Sequence, residues 1–142
     1  MELASLPPSS LPGARELLSA LRRSSATLGV ATGNLRANAI AKLTHARLDS
    51  FFAPLVGGFG DQFADRADIV RASASACDHR DGCRLVVVGD TIHDVRAALD
   101  VGAVPIAVAT GHATRAELSA AGAAVVLPNL ADTAIALRAI TG

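Results

Sequence analysis

Leu85-Val86-Val87-Val88 is an unbroken apolar run, three of its four residues β-branched, and such a run reads as a strand buried on both faces. Gly89-Asp90 punctuates its carboxyl end, and a second carboxylate, Asp94, follows four residues later where a helical pattern begins. In an open α/β sheet, ligands sit just beyond the carboxyl ends of parallel strands. Two acids at such a place, with no Lys nearby, suit a hard cation such as Mg²⁺. The same residues also read as a surface turn in which Asp90 caps the helix.

The rest of the chain alternates in the same sense. Pro12 to Ser24 reads as a helix, with Ala14, Leu17, Leu18 and Leu21 on one face and Arg22-Arg23 near its end. Thr27 to Ala31 is a short strand closed by Thr32-Gly33-Asn34, and Leu35 to Arg47 a helix with Ala39, Ile40 and Leu43 facing inward. Pro54 to Val56 is a short strand, Arg66 to Ala76 a helix, and Arg84 to Val88 the strongest strand. Beyond it come a helix (Asp94 to Val101), a strand (Pro105 to Ala109) and a helix (Thr114 to Ala121). A strand from Ala124 to Leu127 and a helix from Ala131 to Ile140 close the chain. Alternation of this kind predicts a Rossmann-like, three-layer α/β/α fold with a mostly parallel sheet and right-handed crossovers. The loops after Thr32, Gly89 and Ala109 then emerge on one rim.

At 142 residues the chain is one domain's worth. Its residues are 51% hydrophobic but only 3% aromatic, so the core must be built from Val, Leu, Ile and Ala. Thirteen basic and thirteen acidic residues cancel, and no basic stripe argues for nucleic acid. No apolar run approaches the ~18 residues of a membrane span, and Met1 to Ser10 does not read as a signal peptide. Cys77 and Cys83 flank a polar stretch without the further ligands of a zinc site, and read as reduced thiols of a cytoplasmic protein.

Two further groups carry chemistry. Thr32, Gly33 and Asn34 place a hydroxyl, an approachable amide and a helix start together, which makes either an anion cradle or an ordinary strand-to-helix turn capped by Asn34. Arg66 opens a helix, and its guanidinium either clamps a phosphoryl group or pairs with Asp65 or Asp68 in solvent.

The order of these signals is more specific than any one of them. An apolar strand ending in Thr, a basic residue opening a helix, and an apolar strand ending in Gly-Asp-x-x-x-Asp together resemble the second, third and fourth motifs of the haloacid dehalogenase-like (HAD) phosphatases. The Leu-Pro-Gly-Ala-Arg-Glu-Leu-Leu opening, the Gly57 to Arg66 stretch, Val108-Ala109-Thr110-Gly111 and Ala121-Gly122-Ala123 look like the phosphoglycolate-phosphatase-like branch. The resemblance implies Asp90 as a direct Mg²⁺ ligand and Asp94 as a second acid, direct or through water. It implies Thr32 and the Gly33 amide, with Asn34 beside them, on the phosphoryl group, and Arg66 offsetting its charge. His93 is placed in the metal loop, facing substrate or solvent; His112 is a weaker candidate and His45 a surface residue.

The family's first motif, Asp-x-Asp at the end of the first strand, occurs nowhere in the chain. Its first carboxylate is the nucleophile that forms the aspartyl-phosphate, and its second the general acid and base. Nothing before Leu11 reads as the required strand, and the cap insertion is missing too. The expectation is therefore an N-terminal lead-in (1–11) and a partial HAD-like core (12–142) lacking its central first strand. Such a chain reads as a truncated phosphatase, inactive alone, whose full-length parent hydrolyses a small phosphorylated metabolite. Unpaired inner strand edges would favour self-association or a complementing N-terminal segment. The alternative is a non-catalytic phosphate- or partner-binding module derived from such a phosphatase. A nucleotide-binding domain fits poorly, because the Gly58-Phe59-Gly60 stretch lacks a third glycine and no Walker-type loop exists.

Overall fold

The computed structural model describes residues 2–4, 13–24, 27–32, 36–45, 47–52, 57–59, 65–76 and 84–141. Its elements run β1 (Glu2–Ala4), α1 (Ala14–Arg23), β2 (Thr27–Leu28), β3 (Val30–Thr32) and α2 (Arg36–His45), followed by a 3₁₀ turn (Asp49–Phe52). They continue with β4 (Gly57–Phe59), α3 (Arg66–Ala76), β5 (Arg84–Gly89), α4 (Ile92–Asp100), β6 (Val104–Val108), α5 (Arg115–Ala121), β7 (Val125–Leu127) and α6 (Thr133–Thr141).

Every ladder is parallel. One sheet has the order β2-β1-β5-β6-β7, and a two-stranded ladder joins β3 to β4. β2 and β3 are separated in the chain by Gly29 alone. Parallel strands share a carboxyl rim, so the segments after Gly89 and Val108 leave from the same side of the five-stranded sheet, and Thr32 is at the carboxyl end of its own ladder.

Side chains alternate across β5 as the pleat requires. Val86 and Val88 join the core formed with Leu17, Leu18 and Leu21 of α1 and Ala136 and Ile140 of α6. Val87 points the other way, into a cluster with Ala67, Ile69 and Val70 of α3 and Ala97 and Ala98 of α4. This is the three-layer arrangement, with the sheet's valines serving both faces. The predicted face of α1 is the buried one: Ala14, Leu17, Leu18 and Leu21 are each at most 3% exposed. That helix starts at Gly13, whose φ of 86° belongs to glycine and where a Cβ would collide with the Leu130 carbonyl.

One expectation about the sheet fails. The sequence reading leaves its central position without a strand, whereas Glu2–Ala4 occupies it, pairing with Thr27–Leu28 on one side and Arg84–Leu85 on the other. Three residues followed by Ser5-Leu6-Pro7-Pro8 are too few to make an apolar run, and the prolines read as loop. Their neighbours in the sheet, not their own pattern, make them a strand. Among the described residues, pairing on this side of β5 stops at Leu85. A smaller correction concerns α2: Leu43 is buried as expected, but Ile40 is 40% exposed. The strand expected over 54–56 lies outside the described residues, and the next described element is β4 at Gly57–Phe59. Cys77 and Cys83 lie outside the described residues.

Because Leu3 pairs on both sides, Leu3→Pro should remove a ladder donor and orphan a facing carbonyl, destabilising the fold by about 1–3 kcal/mol. Urea unfolding measures this, and an unchanged midpoint would mean that β1 contributes nothing to the sheet.

Candidate active site

The rim site is built where β5 ends. Gly89 is buried, Asp90 begins the turn, and Thr91, with φ −123° and ψ 159°, is the N-cap of α4. The cap is therefore Thr91 and not Asp90. Thr91 and Asp94 form a complete capping box. The Asp94 amide donates to Thr91 Oγ1 at 3.2 Å, while Asp94 Oδ2 accepts from the Thr91 amide at 3.2 Å and from its hydroxyl at 2.9 Å. Asp94 also lies directly over Gly89, where a Cβ would fall 2.5 Å from its Cβ, Cγ and Oδ2. The second acid of the motif thus holds the loop together.

Asp90 is half-buried and borders a cleft of about 280 Å³ lined also by Thr91, Ile92, Gly111, His112, Ala113 and Glu117. Two crossover loops meet here, one after β5 and one after β6. Gly111 approaches Asp90 so closely that a Cβ would be 2.9 Å from Oδ2. Glu117 caps its own helix reciprocally with Thr114, through bonds of 3.1 Å each way. The sequence reading passed over Glu117, although Thr114-x-x-Glu117 is a capping-box signature. It noticed Gly111 only as a family likeness, since no sequence signal announces a contact between two loops. His112 lines the cleft, whereas His93 is exposed on α4 and does not.

The other expected site residues are reached by backbone only. Thr32 ends β3, level with Phe59 of β4, on the carboxyl rim. Arg66 is the first residue of α3, which packs against β3 and β4. Beside it, Asp65 Oδ1 accepts from the Ala67 amide at 2.8 Å, and Asp68 pairs with Arg71 at 2.8 Å. Gly33 and Asn34 lie outside the described residues. The last backbone of His45 closes α2.

Among the described residues, no three His, Cys, Asp or Glu side chains converge as a metal cage. Mg²⁺ does not require one, because it keeps several waters and commonly takes one or two carboxylates plus a phosphate. Asp90, a hard oxygen donor at the open rim, is the group here whose chemistry fits that ion, with Asp94 close behind it.

Comparison with known proteins agrees with this layout. Residues 5–108 match the haloacid dehalogenase-like hydrolase family. The chain belongs to the haloacid dehalogenase-like hydrolases. Among solved structures, a hydrolase from Pseudomonas syringae is 27% identical, with a TM-score of 0.80 over 93% of this chain and 63% of its own. A protein described as a predicted phosphatase from Clostridium acetobutylicum is 28% identical, with a TM-score of 0.71 over 81% of this chain and 54% of its own. A haloacid dehalogenase-like family protein from Streptococcus pneumoniae shares the fold at 19% identity, with a TM-score of 0.76 over 88% of this chain and 58% of its own. This HAD chain therefore spans less than two thirds of each of them. No curated protein sequence matches it. No helix among the described residues is long and apolar enough to cross a membrane.

The capping box and the Gly89 contact are separable by mutation. Thr91→Ala should cost about 0.5–2 kcal/mol of unfolding free energy through the lost cap. Gly89→Ala should cost about 1–3 kcal/mol, because its Cβ meets the root of the Asp94 side chain and the backbone must yield. Denaturant titration checks both, and a neutral Gly89→Ala would contradict the packing described.

Proposed function

We propose that this chain forms the cation- and phosphate-holding rim of a HAD-type phosphomonoester phosphatase and that alone it does not turn substrate over. What carries this reading is where the acids fall along the strands. Asp90 stands at the carboxyl end of β5, on the ligand side of the sheet. Glu2 is the only Asp or Glu before Glu16, and it is level with Arg84, at the opposite end. Six residues of strand separate Arg84 from Asp90, about 20 Å of rise. An attacking carboxylate has to come within about 3–3.5 Å of phosphorus. Glu2 cannot serve.

Each remaining group then has a partial role. Asp90 would hold Mg²⁺, with Asp94 bracing the loop and adding negative charge behind it. The Thr32 hydroxyl and the Gly33 amide would hydrogen-bond the phosphoryl oxygens, Asn34 would start the helix beside them, and Arg66 would offset their charge. The bound ion would supply charge shielding at the phosphoryl group. If a first strand ending in Asp-x-Asp, from a longer chain or a complementing segment, took the place that β1 holds between β2 and β5, these groups would serve phosphoryl transfer through an aspartyl-phosphate on a small phosphorylated metabolite. A cytoplasmic setting, with Mg²⁺ and such metabolites at hand, suits that role. The second reading is a module that binds phosphate or a partner without chemistry. It is favoured by the same placement, since anion binding needs no nucleophile.

Lack of the nucleophile lowers the rate by on the order of 10⁴-fold or more. The purified chain with Mg²⁺ should therefore hydrolyse p-nitrophenyl phosphate no faster than buffer, and Asp90→Asn should change nothing. Robust turnover that disappears in Asp90→Asn would sink the proposal. Saturable binding of inorganic phosphate without turnover by a cooperatively unfolding monomer would favour the second reading.

A further inference from the structure

The two rim acids are each met by a glycine, and the two glycines are present for different reasons. At Gly89 a Cβ would collide with the Asp94 Cβ and Cγ as well as Oδ2, at 2.5 Å each, so the obstacle is the root of a side chain tied into a helix cap. At Gly111 a Cβ would meet Asp90 Oδ2 at 2.9 Å, with Asp90 Cγ and carbonyl O both at 3.3 Å. The closest obstacle there is the far end of a rotatable side chain.

Backbone conformation does not explain Gly111. Among the described residues the left-handed glycines are Gly13, Gly102 and Gly122, and Gly111 is not among them. It is also exposed, so core packing places no limit on its size. At this exposed loop position the obstacle to a side chain is Asp90 itself. We propose that Gly111 is a positioning residue for Asp90: carrying no side chain, it lets the loop after β6 close on the carboxylate and sets the rotamer that Asp90 holds beside the cleft. A residue at 111 with a Cβ turns the carboxylate away without unfolding the domain. The rotamer claim stands on packing alone. Its consequence for cation binding rests on the reading of Asp90 given above.

The test compares the full chain with its Gly111→Ala variant by NMR. Three-bond couplings report χ1 of Asp90 in the absence of any metal, and Mg²⁺ alone is then titrated. The expected result is an Asp90 χ1 population moved to another well, with an unfolding midpoint close to that of the wild type. Loss of a residue that orients a ligand typically weakens metal binding about 10–100-fold, and a Mg²⁺ affinity lower by that factor is expected. Thr110→Ala, one residue earlier in the loop and not lining the cleft, should leave χ1 and affinity unchanged.

An unaltered Asp90 χ1 in Gly111→Ala overturns the proposal, and so does the same change in Thr110→Ala. If the wild type binds no Mg²⁺, the cation reading falls while the couplings still decide the role of Gly111. If Gly111→Ala destabilises the chain, the Asp90→Ala background decides: relief of the cost there supports the clash with Asp90, and an equal cost in both backgrounds refutes it.

Discussion

The contact of Asp94 with Gly89 and Thr91 is the joint on which the rim depends. Strand β5 is buried on both faces and cannot bend before Gly89, because Val86, Val87 and Val88 are all engaged in cores. Immediately afterwards the chain must turn and start a helix. Asp94 answers the open amide of Thr91, and Thr91 answers that of Asp94, so two donors of the helix start are satisfied within four residues. Only a residue without a Cβ at 89 lets the carboxylate lie that close. Asp90, one residue out from this clamp, is presented at the rim by a rigid frame.

The parallel sheet converts that local frame into a site. β5 and β6 are adjacent parallel strands, so the Asp90 turn and the Gly111 loop meet at one rim although 21 positions separate Asp90 from Gly111, while Thr32 ends a strand of the separate β3-β4 ladder. The same polarity puts Glu2 level with Arg84, where β5 begins, at the opposite end of the strand from Asp90. At that opposite rim the Arg84 guanidinium donates to the Ile140 carbonyl near the end of α6, a structural bond that favours the negative end of the helix.

Much of this was legible in the sequence, and the exceptions share a cause. Helix α3 was read at its observed bounds, Arg66–Ala76, and α1 on its observed face, because periodic apolar residues report directly on burial. Strand β5 was legible for the same reason. β1 was not, because three residues have no period and their pairing partners lie more than twenty positions away. Ile40 was assigned inward from periodicity that Leu43 alone honours among the described positions of that face. Asp94 reads in the sequence as a second acid for the cation, direct or through water, although Thr-x-x-Asp also spells a cap. Gly111 carries no local signal at all: its meaning comes from touching a side chain on another loop.

A Mg²⁺ titration followed at individual backbone amides probes the rim most directly. Saturable shifts centred on Gly89 to Asp94 and on Gly111, abolished by Asp90→Asn, are the expected result. Mg²⁺ shifts that leave Asp90 and its neighbours untouched, or that persist in Asp90→Asn, would contradict a cation site built at the end of β5.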